Sequence, residues 1–423
     1  MISSRLRFPR SLFLTLAALF ATASHSQAAY ALTVVVNHSF HPTDPTYQLP
    51  DNPKPSLDEL IAGLEAATQK DPKDVASWYQ LGLSCYAKQK LDESQNALQT
   101  AVQLKPDDSM MWTDLAVVLY QQMLFDQMEE ALRTATRLDP KNVTAWVDYA
   151  AYCYSRQNMR RARSIIEEAQ ENVPQSKELW NSLGTLEYND GAFEAAETDF
   201  RKALAIDPHY AEAYYNMGSS LIKRGRLSEA VDPIFRATAS YPDGQLNWQA
   251  LLSLAIALKA VPDAMTKIQA LLNLHPDAGY GWYALASMQN EVGNYSDAVT
   301  SAQKAIQIHP KDAEAWDTLG LAYLSLQQTD QALDAFNKSI AIDPTSADAW
   351  NNLGYYDFLA GKTDKAIGEY HNSLSKDHYY EPALINLIAA YQKTNQIELA
   401  QETCDTLALV DPDKAKELRA QLQ

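Results

Sequence analysis

Cysteine is scarce in this sequence. The 423 residues contain three, Cys85, Cys153 and Cys404. An odd number cannot pair completely, and no Cys-x-x-Cys occurs, so a disulfide framework is not indicated. Positive charge is short as well: 35 Lys and Arg face 53 Asp and Glu, a formal net charge of −18. Affinity for phosphates comes from clustered cations, so nucleic acid is not an expected partner. The charge suits a soluble, elongated molecule instead. Catalytic patterns are missing too: there is no His-Glu-x-x-His and no phosphate-cradling glycine loop. His38 and His41 alone are too little to specify a metal. No catalytic residue, cofactor or metal is expected.

Long apolar runs are nearly absent. One lies at Ser11–Ala23 (SLFLTLAALFATA), after Arg5, Arg7 and Arg10 and before the small residues around Ala28. That order reads as a secretory signal over residues 1–29. The run is too short to span a bilayer comfortably. The expectation is export to a periplasm or the extracellular space, with no stable membrane insertion after cleavage. Residues 30–55 carry five prolines and read as an extended linker.

From Ser56 the character changes. Ser56 and Glu59 have the spacing of a capping box, and Leu57, Leu60, Ile61 and Leu64 follow with helical periodicity. A capping helix is expected over residues 56–70. Then Pro72, Pro106, Pro140, Pro174, Pro208, Pro242, Pro276, Pro310 and Pro344 stand 34 residues apart, with His378 and Pro412 in the next two slots. Ten modules therefore run without insertion or deletion. Six residues after each of these marks comes a large residue: Trp78, Trp112, Trp146, Trp180, Tyr214, Trp248, Trp282, Trp316, Trp350 and Leu384. Ten residues after the mark stands a mostly small one, such as Gly82, Ala116, Gly320 or Gly354. Leu252 and Ile388 are the exceptions. Ala recurs twenty-two residues after the mark in the last eight modules.

This pattern resembles the tetratricopeptide repeat family. Trp316, Leu319, Gly320, Tyr323, Ala332, Phe336 and Pro344 match its large-Leu-Gly-aromatic-Ala-aromatic-Pro signature in order. The resemblance spans residues 75–412. It implies an all-α fold: a right-handed superhelical solenoid of ten helix-turn-helix repeats, each with a helix A and a helix B. Small residues let the two helices approach closely. The large residue of helix A fills the space between modules, buried, and the proline ends helix B. Gly191, Gly225, Gly293, Gly361 and Asn395 share a turn slot suited to left-handed backbone. Residues 413–423 should form a short C-terminal cap. Pro233 should bend a B helix and, with the apolar helix A of module six, divide the array near residues 225–265. Module six is either unusually buried or a partner surface. The three cysteines fall in separate modules as buried thiols.

In the resembled family, ligand contacts come from exposed positions of helix A on the concave side. The equivalent positions here nominate Tyr79, Asn181, Tyr215, Tyr283, Asp317 and Asn351 seven residues after the mark. Asn216 and Asn352 stand one residue further on, and Tyr86, Tyr120, Tyr154 and Tyr188 form a ladder fourteen after it. Tyr joins a large contact area to a polar tip, although packing alone would also place it there. Glu178, Glu212, Glu314, Asp317 and Asp348 lie four or seven residues after their marks, and no Lys or Arg occupies those slots. The carboxylate-clamping use of the family is thereby excluded. The expected partners are proteins or extended peptide segments, neutral to basic. The expected role is a non-catalytic scaffold or adaptor in the cell envelope. The alternative is an accessory regulator or substrate-presenting subunit of an exported enzyme.

Overall fold

The computed structural model describes residues 56–242 and 244–422. The signal and linker readings lie outside the described residues. Every element described is helical, and two compact units divide the chain between Gly225 and Arg226. The first unit opens with α1 (Leu57–Lys70), whose Ser56–Glu59 capping box is formed as the spacing predicts. Four complete modules follow: α2 (Val75–Ala87) with α3 (Leu91–Leu104), α4 (Ser109–Gln121) with α5 (Phe125–Leu138), α6 (Val143–Ser155) with α7 (Met159–Asn172), and α8 (Lys177–Asn189) with α9 (Phe193–Ile206). The unit closes with α10 (Ala211–Lys223), helix A of module five.

The second unit begins with that module's helix B, α11 (Leu227–Ser240). It continues through α12 (Gln245–Ala257), α13 (Val261–Leu274), α14 (Gly279–Glu291), α15 (Tyr295–Ile308), α16 (Ala313–Ser325) and α17 (Thr329–Ile342). It ends with α18 (Ala347–Leu359), α19 (Thr363–Lys376), α20 (Glu381–Lys393), α21 (Ile397–Leu407) and the terminal α22 (Pro412–Ala420). Within each unit every helix packs on the next, and successive A helices also touch, as α4, α6, α8 and α10 do. No module buries its apolar face alone; its neighbours supply the other half.

The local chemistry repeats with the register. Two residues after the mark, Asp74, Asp108, Asn142, Ser176, Asp312 and Ser346 cap the A helices by accepting backbone N–H bonds. The A–B turn is left-handed in all ten modules. Four glycines hold it, and so do Gln89, Met123, Gln157, Lys259, Gln327 and Asn395, with φ between 54° and 62°. The slot therefore demands the conformation even where a Cβ makes it costly.

The large-residue slot behaves differently from expectation. Trp248 is fully buried and Trp146 and Trp282 nearly so, but Trp78, Trp112, Trp180, Trp316 and Trp350 are only half-buried. Every indole N–H donates to the carbonyl of the proline six residues before it, at 2.7–3.3 Å. The ring thus pins the module junction to helix A, whether it is buried or half-buried. On the open face of three rings lies a lysine from the same module: Lys202 over Trp180, Lys304 over Trp282 and Lys338 over Trp316, at 3.9–4.5 Å.

Pro233 is buried within α11, which runs unbroken from Leu227 to Ser240. Helix α12 is buried rather than presented as an apolar surface: Trp248, Leu251, Leu252, Leu254 and Ala255 all lie in the core. The three cysteines are buried and unpaired, and burial pushes the Cys153 thiol up to about 11.

Candidate peptide-binding face

Within each unit the A helices of successive modules lie side by side, and at four seams residues 35 apart meet. Asn216 Nδ2 donates to Asn181 Oδ1 at 3.0 Å, and Tyr79 donates its hydroxyl to Asp114. In the second unit the seam becomes a relay. Asn386 donates to Asn351 at 2.9 Å, Asn351 to Asn352 at 3.1 Å, and Asn352 to Asp317 at 2.7 Å. This corrects part of the nominated set. Asn181 and Asn351 are buried, not exposed contacts, each covered by the asparagine of the next A helix that donates to it. Asn216, Asn352, Tyr215 and Asp317 remain half-buried beside them.

The tyrosine ladder is also half in the core. Tyr79, Tyr86, Tyr120 and Tyr154 pack against the hydrophobic cluster of the first unit. Tyr120 and Tyr188 lean on Phe125 and Phe193 of the following B helices, with ring centroids 6.2 and 5.3 Å apart. Burial pushes the Tyr188 hydroxyl up to about 12 and leaves it without a hydrogen-bond partner. The ladder therefore combines packing with an open edge.

The second unit carries an acidic wall. Gln249 on α12 reaches past module seven to donate to both oxygens of Glu314 on α16, at 3.0 and 3.2 Å. Tyr283 on α14 lies close enough to act on Glu314. Tyr380 donates to Asp348, and Asn352 to Asp317. Glu314 and Asp348 keep open surface, yet enough protein surrounds them that burial raises both carboxyls above the usual range. Burial, reinforced by the charge of Asp348, raises Asp317 to about 8. Among the described residues no Lys, Arg or His pairs with any of the three. Every donor on this wall is a neutral amide or phenol. Sequence reasoning nominated Asp317 and Tyr283 but passed over Tyr380, which occupies a capping slot, and Gln249, whose partner lies 65 residues away.

Tetratricopeptide repeat family models match residues 75–108, 114–177, 188–255, 301–334 and 357–422, and a further TPR repeat model matches 320–358. The chain belongs to the tetratricopeptide repeat family. No curated protein matches it in sequence. Among solved structures it is similar to yeast Tom70, with 14% identity, 86% of this chain and 92% of that chain covered, and a TM-score of 0.44. The APC/C hetero-tetramer Cut9-Hcn1 gives 15%, 86%, 86% and 0.42. YrrB, described as a TPR protein with an unusual peptide-binding site, gives 20%, 44%, 95% and 0.33. Proteins built of tetratricopeptide repeats are generally non-catalytic scaffolds, and the repeats here support a protein–protein interaction scaffold. Among the described residues no cluster of His, Cys, Asp and Glu is arranged to hold a metal, and no helix is long and apolar enough to cross a membrane.

Proposed function

We propose that this tetratricopeptide repeat protein is an exported, non-catalytic adaptor of the cell envelope. It takes extended, neutral to basic segments of other proteins along the helix A side. The observation that supports the charge preference is the wall of Glu314, Asp317 and Asp348, held only by neutral donors. Such a wall favours a cation, whose charge stabilises these buried groups as carboxylates, over an acidic group, which would add a further negative charge beside them. Export rests on the arginine, apolar and small-residue order of residues 1–29. The test is binding of the purified chain to arrays of extended peptides of matched length and opposite charge. Basic and neutral peptides are expected to bind and acidic ones to fail. A preference for acidic peptides would overturn the reading. Cell fractionation with N-terminal sequencing of the recovered protein tests the location, with cleavage near Ala28 as the expected result.

A further inference from the structure

In the first unit one seam is left incomplete. Eight residues after their marks, Asp114, Asn216, Asn352 and Asn386 each bond the residue seven after the preceding mark. Asp148 occupies the same slot on α6. Its counterpart on α4 is Thr113, but that hydroxyl donates to Ser109 O at 2.9 Å and accepts from Asn142 Nδ2 at 3.1 Å. It has no proton left for Asp148. The Asp148 side chain is 3% exposed, and neither oxygen has any partner. One module back, Asp114 is 2% exposed, and its Oδ1 is likewise without a donor. Asp114 is the charged group that acts on Asp148; Tyr79 and Asp108 stand behind it. No Lys or Arg reaches either carboxyl among the described residues.

Two neighbouring buried acids with three orphaned oxygens do not suit a seam sealed by its own side chains. The equivalent seams show what a complete one looks like. Orphaned acceptors on the helix A strip call for a donor from outside. A water molecule would meet one or two of these oxygens, whereas a guanidinium or ammonium group offers several N–H donors at once and a positive charge that stabilises both carboxylates.

We propose that Asp114 and Asp148 form a seat for one guanidinium or ammonium group of a bound segment. The proposal rests on the reading of the helix A side as a binding face, and it adds the residue type and the place. Burial, and after it the charge of Asp114, pushes the Asp148 carboxyl up, so the empty seat favours its protonated form. On binding, the cation pairs with the Asp148 carboxylate and the displaced proton passes to solvent. Both carboxyls are closed to water in the unoccupied state, so entry requires the side chains above them to rotate aside. Affinity for a cationic segment then rises with pH, by up to tenfold per unit while Asp148 is protonated in the free chain.

The experiment selects a random nonapeptide display library on the full chain and on its D148N and D114N variants. Circular dichroism confirms that the variants fold. Peptides recovered on the wild-type chain and located near α4 and α6 by photo-crosslinking are expected to share one Arg or Lys. Replacing that residue by citrulline or norleucine should weaken binding tenfold or more. Calorimetry in two buffers of different ionisation enthalpy should count about one proton released. D148N should bind the cationic and neutral peptides equally and release no proton. Groove binders with no shared cation, or with unchanged affinity and proton release in D148N, overturn the seat and leave the binding face standing. A library that yields no binder crosslinked to any A helix removes the binding face itself, and the seat with it.

Discussion

At the scale of single residues, the turn slot offers the sharpest test of backbone cost. Met123 adopts φ 60° with its side chain 75% exposed, so it accepts left-handed strain without a packing return. Left-handed backbone costs an L-residue roughly 1–2 kcal/mol, part of which glycine gives back as chain entropy. Met123→Gly should therefore stabilise the first unit by about 0.5–1 kcal/mol. A lower chemical-denaturation midpoint in the variant would show that the methionine makes a contact worth more than the strain. Tyr370 poses the opposite case. Its ring is fully buried against Gly354, and its hydroxyl has no partner. Removing an orphaned buried hydroxyl relieves a desolvation penalty of about 1–3 kcal/mol. Tyr370→Phe should leave the second unit as stable or more stable in the same melt. A clear loss would mean that the hydroxyl is bonded in solution.

Between paired helices, volume is matched across the A–B contact. A Cβ on Gly184 would meet the Phe200 ring at 2.7 Å, on Gly320 the Phe336 ring at 2.5 Å, and on Gly354 the Tyr370 ring at 2.7 Å. Where the small slot holds Ala116, Ala150 or Ala286, the facing residues are Leu132, Ile166 and Ala302, with no ring among them. Gly320→Ala should overpack module eight and cost roughly 1–3 kcal/mol. Adding Phe336→Leu should recover part of that loss, although each change alone destabilises. Simple additivity of the two in thermal melts would sink the account.

A second helix-pair feature is electrostatic. Thirteen and twenty-five residues after the mark, most modules place apolar or small residues, but module nine places Asp357 and Glu369, and module four Glu187 and Asp199. In both pairs the two buried carboxyls act on each other's charge. Burial raises Glu369 to about 7, while Lys365 and Lys362 hold Asp357 below its usual value against burial. A raised folded-state carboxyl contributes stability in its protonated form. That contribution is present at acid pH and lost as pH climbs from the ordinary Glu range to about 7. Asp357 has the opposite sign and loses its contribution on acidification. Glu369→Gln should therefore flatten the wild-type decline in stability between about pH 4.5 and 7. An unchanged slope in melts across that range would exclude Glu369 as its source.

For the whole molecule, the fold was legible because the register is written in residues with one local meaning each. Pro72 and its repeats end B helices, Asp74 and Asp108 cap A helices, and Gly191 and its equivalents turn the chain. None of these needs knowledge of distant contacts. The site was less legible for the converse reason. Periodicity says that Asn181 and Asn351 belong to helix A, but the spacing between adjacent A helices decides whether they face a ligand or a seam. Likewise nothing local distinguishes Asp148 from Asp114; the facing residue of the preceding module does, since Tyr79 donates to Asp114 while the Thr113 hydroxyl is committed elsewhere.

The same nearest-neighbour logic predicts how damage spreads. Each module is stabilised by the two beside it, so a lesion should stay local rather than melt the array. Leu132 on α5 is fully buried in the first unit, and Leu132→Ala should cost about 2–5 kcal/mol. Hydrogen exchange followed by mass spectrometry should then rise in α2 to α7 and stay unchanged in α16 to α21. Faster exchange of equal size in every helix would show that the chain opens as one cooperative body. In that case the stability of a module could no longer be written as its own term plus two seams.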